Sequence, residues 1–320
     1  MRIDEIVKGA KTVGIGGHIR PDGDCVGSTM GLYLYLNKNF PELKVDIFLE
    51  KIPESYRFIE KSEEVNSDFT SDVESYDVFF ALDCGKERLG SAEKFFDAAK
   101  KTVNIDHHVS NAGTGDENYI VPTASSACEL VYNCLDKEKM DVNIAQAIYM
   151  GIVTDTGVFK YSNTSPDTMK VAAELIGFGF DFGSLIDHVF YEKSYVQNQI
   201  MGRALLESMV FMDGECIVSV VSRQTMDFYM AESSDLDGIV SQLLLTTGTE
   251  CAIFMYELES MQYKVSLRSK GKVNVAKIAE LFGGGGHARA AGCTMNGTQH
   301  DIINSLSEYI DRDLKGVSAN

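Results

Sequence analysis

Apolar runs and polar breaks alternate along the first 190 or so residues, switching between the period of a strand and that of a helix. Val13-Gly14-Ile15, Val78-Phe79-Phe80-Ala81-Leu82 and Val103-Asn104-Ile105 are short and almost wholly apolar, and they read as strands near 12–18, 77–83 and 101–106, with another at 44–49. Residues 24–36 place Val26, Met30, Tyr33 and Leu34 at helical spacing, as one buried face. Residues 125–135 and 144–154 have the same character, and Pro166-Asp167-Thr168 opens a further helix that runs to Phe178. Strands and helices in this alternation predict an α/β fold, a mostly parallel sheet with helices on both faces.

The pattern changes after residue 194. Residues 194–210 carry no strand character and read as a linking helix. Hairpin-like runs follow at 217–221, 251–257 and 263–268, and then the cluster Phe282-Gly283-Gly284-Gly285-Gly286-His287. A chain of 320 residues is long for one hydrophobic core. The expected organisation is therefore a catalytic α/β domain at 1–193, a linker helix at 194–210 and a smaller α+β domain at 211–320.

Composition narrows the class. With 44% hydrophobic and 24% charged residues the chain reads as an ordinary soluble globular protein. No stretch reaches the ~18 uninterrupted apolar residues of a membrane span, and Met1-Arg2-Ile3-Asp4-Glu5 has no apolar h-region. The seven cysteines form no CxxC pair, so reduced thiols in a cytoplasmic protein are expected. The net charge of −18 argues against binding long nucleic acid, which needs a basic footprint. It still permits a local positive pocket, built from metal ions and a few arginines, for small phosphorylated substrates.

Candidate chemistry sits at the ends of the apolar runs: His18-x-x-x-Asp22-x-Asp24, Asp83, Asp106-His107-His108 and Asp155. Ligands in open α/β sheets bind outside the carboxyl ends of the strands. An Asp-x-Asp pair can aim one carboxylate at each of two ions, and mixed imidazole and carboxylate donors suit Mn²⁺, Fe²⁺ or Co²⁺. Pro21-Asp22-Gly23-Asp24 alone would pass for a turn. A charge at the end of a buried strand, as at Asp83, needs a partner or a cation. Together the four segments read as a dinuclear metal centre. Ser125-Ser126 reads as a helix N-cap, with phosphate contact the alternative.

These segments carry a resemblance. GHIRPDGDCVGS (17–28), LDCG (82–85), NIDHHVSN (104–111) and TDTGVF (154–159) resemble the four motifs of the DHH phosphoesterase superfamily, in order. SLRS (266–269) and FGGGGHARAAG (282–292) resemble its DHH-associated C-terminal domain. The best-fitting members are the short bacterial enzymes that degrade oligoribonucleotides of a few residues and dephosphorylate pAp. The resemblance implies His18 and Asp22 on one Mn²⁺, with Mg²⁺ or Co²⁺ as substitutes, and Asp24, His107 and Asp155 on the other. Asp83 would bridge the two, and four aspartates would balance two divalent ions. It further implies two-metal phosphoester hydrolysis with His108 at the scissile phosphate and Asp106 orienting a histidine. Arg88, Arg268, Gly285, Gly286 and His287 are the candidate substrate contacts, the glycines by exposing backbone amides. The implied partners are short RNA and pAp, with pApA or a cyclic dinucleotide as the alternative substrate, no long duplex, no membrane and a homodimer as an option. A non-catalytic nucleotide-binding protein on this fold would have lost metal ligands, and none is missing here.

Overall fold

Val78–Leu82 is buried at every position, as a strand covered on both faces requires, and it lies in the middle of a five-stranded parallel sheet. The computed structural model describes residues 1–316, so residues 317–320 of the expected second domain lie outside the described residues. It divides the chain into two units, Met1–Glu192 and Lys193–Asn320. In chain order the first unit comprises α1 (Ile3–Ile6), β1 (Thr12–Gly16), α2 (Gly23–Asn39), β2 (Lys44–Phe48), β3 (Val78–Leu82), α3 (Glu93–Ala98), β4 (Thr102–Asp106), β5 (Glu117–Ile120), α4 (Ala127–Cys134), α5 (Val142–Asp155), α6 (Pro166–Ile176) and α7 (Phe182–Ile186). The strands run in the order β2-β1-β3-β4-β5, every neighbouring pair parallel. That order reverses between β1 and β3, which places a crevice at their carboxyl ends. The loop after β1 carries His18, and the residue after β3 is Asp83.

Two features of this unit differ from the sequence reading. β5 escapes it, because Glu117 and Asn118 are exposed and Tyr119 and Ile120 only half-buried on an edge strand. Helix α2 does not present one buried face: every residue from Gly23 to Leu36 is buried. The helix is enclosed because Gly23, Gly27 and Gly31, one turn apart, bring it against α5. A methyl on Gly27 would lie 2.6 Å from the Ala147 carbonyl oxygen, and one on Gly151 would lie 3.1 Å from the Asp24 Cα. This close approach sets the spacing between Asp24 at the start of α2 and Asp155 at the end of α5.

The second unit comprises α8 (Tyr195–Leu206), β6 (Met209–Phe211), β7 (Cys216–Val221), α9 (Arg223–Tyr229), α10 (Ile239–Leu244), β8 (Cys251–Glu259), β9 (Gln262–Ser269), α11 (Val275–Leu281), β10 (Gly285–His287), β11 (Ala290–Asn296) and α12 (Gln299–Leu314). Its sheet is mixed, in the order β10-β11-β9-β8-β7-β6. Of the three hairpin-like runs, β8 and β9 do form a hairpin, but β7 pairs with β8 in parallel across a connection that holds α9 and α10. Helix α8 buries Ile200 and Ala204 against Ile217, Leu243 and Phe254 of the same unit, so the segment read as a linker is part of this core. The glycine run is not a free loop, since Gly285, Gly286 and His287 pair antiparallel with Gly292, Ala291 and Ala290.

Candidate metal centre

Six donors converge at the carboxyl edge of the parallel sheet, and each arrives there for a local reason. His18 is 4% exposed, and its Nδ1–H donates to the Ile19 carbonyl at 2.9 Å. That bond selects the tautomer that leaves Nε2 as an acceptor. Nε2 faces Asp83 Oδ2 at 3.3 Å and Asp22 Oδ1 at 3.6 Å. Asp22 caps α2, accepting from the amides of Asp24 and Cys25. Asp24 is buried, and its two oxygens accept from the Ala127 and Cys128 amides at 2.6 and 2.9 Å, so the first turn of α4 holds this carboxylate in place. His107 Nε2 stands 3.6 Å from Asp83 Oδ1, 3.7 Å from Asp24 Oδ2 and 3.8 Å from Asp155 Oδ2.

These separations are too long for good hydrogen bonds and suit donors ringing an ion. Asp83 shows it best. It follows β3 with a left-handed φ of 59°, a backbone conformation that asparagine and aspartate tolerate better than most residues. It turns one oxygen toward His18 and the other toward His107, and the latter, Oδ1, is buried without a hydrogen-bond partner. An orphaned buried carboxylate oxygen is costly unless a cation satisfies it. With nitrogen and oxygen donors on both sides, the residues present fit two divalent ions that share Asp83.

The electrostatics agree. Burial, followed by the charges of Asp83 and Asp155, raises the pKa of Asp24. Asp155 is pushed up to about 6, again chiefly by burial, and His107 opposes the rise. Burial alone would lower the two histidines, but His107 is raised to about 10 by Asp83, Asp24 and Asp155. His18 is likewise raised by Asp22 and Asp83. Anionic oxygens thus outnumber the positive charge available to them, and the field they set up favours a cation among them. Cys25 offers its sulfur within 4.8 Å of ligand atoms of His18 and Asp83, and burial pushes its thiol up to about 11.

Asp106 is buried and fully engaged. Its Oδ1 accepts from the amides of His107 and His108 and from His108 Nδ1 at 2.7 Å, and its Oδ2 from Asn111 Nδ2 at 2.6 Å. Its pKa falls despite burial, through the His108 and Asn111 bonds. His108 is thereby oriented through Nδ1, with its side chain 40% exposed. Arg88 lies in the turn Lys86–Arg88, and its carbonyl accepts from the Ile19 amide at 2.9 Å, joining the loops that carry His18 and Asp83. Ser126 Oγ caps α4, and Ser125 Oγ donates to Glu129 Oε2 at 2.6 Å, so neither hydroxyl is idle. In the second unit Arg268 pairs with Ala290, which pairs with His287, so the Arg268 and His287 side chains share one face of that sheet. Sequence reasoning missed Asn163. Its Nδ2 donates to Asp155 Oδ2 and O, both at 3.2 Å, and to the Ser125 carbonyl at 2.8 Å. Nothing in Tyr161-Ser162-Asn163-Thr164 signals that role. Asn111 closes the motif NIDHHVSN, but only the fold shows it holding Asp106.

The model of the DHH family N-terminal domain matches residues 12–152, and that of the DHHA1 domain matches residues 213–315. A Thermus thermophilus protein named as a bifunctional oligoribonuclease and PAP phosphatase, NrnA, is 31% identical, over 97% of this chain and 94% of its own length. The Bacillus subtilis protein of the same name is 30% identical, over 87% of each. The crystal structure of an exopolyphosphatase-related protein from Bacteroides fragilis superposes with a TM-score of 0.84 at 24% identity, over 97% of this chain and 95% of that one, a likeness of fold.

Proposed function

Because this chain belongs to the DHH family, and is therefore a metal-dependent hydrolase, we propose that it is a Mn²⁺-dependent phosphoesterase that degrades RNA of a few nucleotides to mononucleotides and converts pAp to AMP. The observation that carries the reading is the shared, orphaned carboxylate of Asp83 between two histidine-containing donor sets. Relatives at 30–31% identity named for these two activities support the choice of substrate.

His18, Asp22 and Asp83 would hold one ion, and Asp24, His107, Asp155 and Asp83 the other. When bound, two divalent ions supply Lewis acidity toward a phosphoryl oxygen and toward the attacking water. The chain's own residues do the rest. His108, fixed through Nδ1 by Asp106, presents its other ring nitrogen as a donor to a non-bridging oxygen or to the departing hydroxyl. Asp106 keeps that ring in one orientation, and Asn163 does the same for the Asp155 carboxylate. Arg268, His287 and the Gly285-Gly286 backbone of the second unit supply nucleotide recognition. A net charge of −18 disfavours long polyanions and leaves short substrates preferred.

The test is a substrate panel with Mn²⁺. RNA of two to five nucleotides should be consumed far faster than a 24-mer, and pAp should release orthophosphate. Equal rates on long and short RNA defeat the proposal, and exclusive turnover of pApA or a cyclic dinucleotide redirects the specificity.

A further inference from the structure

The carboxylate cluster accounts for only part of the cleft it faces. A cavity of about 230 Å³ is lined by Asp22, Asp24 and Asp155, and equally by Tyr56, Val189 and Phe190, which belong to two segments outside the four motifs. Phe190 is 36% exposed, a large aromatic ring left open beside the buried Asp24, the half-buried Asp155 and the exposed Asp22. Its segment, Asp187–Tyr191, is a π-turn that continues α7, closed by the Glu192 amide donating to the Asp187 carbonyl at 2.7 Å. Such turns are rare and concentrate at functional sites. This one is braced. His188 Nδ1 lies 2.7 Å from Glu192 Oε2, Phe58 meets the His188 ring edge-on at 5.5 Å, and Phe190 meets Tyr191 edge-on at 5.3 Å. Tyr56 ends the short turn Glu54–Tyr56, which packs against the π-turn.

We propose that Phe190 and Tyr56 form a stacking platform for the nucleobase of the nucleotide whose phosphate is held at the carboxylate cluster, and so determine the preference for nucleotides over simple phosphate esters. The proposal rests on the phosphoesterase reading above. The carboxylates fix where the phosphate goes, and what lies beside a nucleotide phosphate is a polar sugar and a flat base. Only the base has an apolar face to match aromatic rings. The cavity falls below the usual range for drug-sized ligands, roughly 300–1,000 Å³, and so suits one base. Base–aromatic stacking is also indifferent to base identity, as required of an enzyme that meets RNA of any sequence.

The chain has no tryptophan, so Phe190→Trp installs a single tryptophan on the platform, excited selectively at the red edge where the tyrosines do not absorb. AMP should quench its emission saturably, whereas ribose 5-phosphate at the same concentrations should not. No quenching by AMP, or equal quenching by both, overturns the platform. In turnover with Mn²⁺, Phe190→Ala should raise KM for pAp roughly 5- to 150-fold, the equivalent of one stacked base. Its kcat should stay within a few-fold, and KM for ribose 3,5-bisphosphate should not move. Equal changes for the two substrates also overturn it. If AMP quenches saturably while the wild-type protein hydrolyses neither pAp nor short RNA, the substrate reading falls and the platform stands. If pAp is hydrolysed without quenching, the platform alone falls.

Discussion

Replacing Asp83 by Asn keeps the size of the side chain and suits the left-handed backbone at this position, where φ is 59°. What it removes is the ability to serve two ions. In the wild-type chain one Asp83 oxygen faces His18 and the other His107, at 3.3 and 3.6 Å. The ligands sit on β1's following loop, α2, β3's end, β4's following loop and α5, so only the folded unit can assemble them. Ions that bind the folded state alone stabilise it by about 2.7 kcal/mol per site at ~100 times Kd. Two sites therefore contribute about 5 kcal/mol, which for a unit spanning Met1–Glu192 amounts to roughly 10–20 °C in Tm. Thermal unfolding with Mn²⁺ against EDTA reads this directly. Wild type should show the full shift, Asp83→Asn no more than a few degrees, and Asp22→Asn about half. Asn at position 22 still caps α2 but drops a charge from one site only. An Asp83→Asn shift equal to wild type would refute the shared-carboxylate argument, and so would metal analysis showing a single zinc per chain.

His108→Ala leaves all six proposed ligands in place, so the Mn²⁺ content should hold at two per chain while turnover falls roughly 10²–10⁴-fold. Loss of metal together with activity would show that His108 is a ligand. Asn163→Ala frees the Asp155 carboxylate and should weaken metal affinity by about 10- to 100-fold in a Mn²⁺ titration, with activity recovering at high metal concentration; unchanged affinity would leave Asn163 a packing residue. Arg268→Ala should raise KM for short RNA with little change in kcat and should barely affect bis-p-nitrophenyl phosphate. Equal damage to both substrates would remove Arg268 from nucleotide recognition.

Much of this arrangement was legible in the amino-acid order, and unevenly so. Val78–Leu82 stands out because a strand buried on both faces is apolar throughout, Thr102–Asp106 shows a weaker form of the pattern at Val103 and Ile105, and the charge that ends such a run must meet a partner. Asp22 and Asp24 announce themselves as paired carboxylates around a glycine. β5 was invisible, since an edge strand half open to solvent carries no apolar signature. The enclosure of α2 was hidden too, because Gly23, Gly27 and Gly31 read as weak helix formers until Ala147, Ile148 and Thr154 of α5 lie against them.

By itself the sequence determined the kinds of donor present, the α/β alternation and the change of character near residue 195, because these follow from local periodicity and from the chemistry of single side chains. Only the tertiary structure decided which donors meet. It turned one Asp83 oxygen toward each histidine and left one of them orphaned, placed Asn163 on Asp155 eight positions away, and set Tyr56 and Phe190, more than a hundred residues apart, on the same cleft as the carboxylates. Distances of 3–4 Å between remote side chains depend on how closely helices and strands pack, and that is a property of the assembled core rather than of any segment.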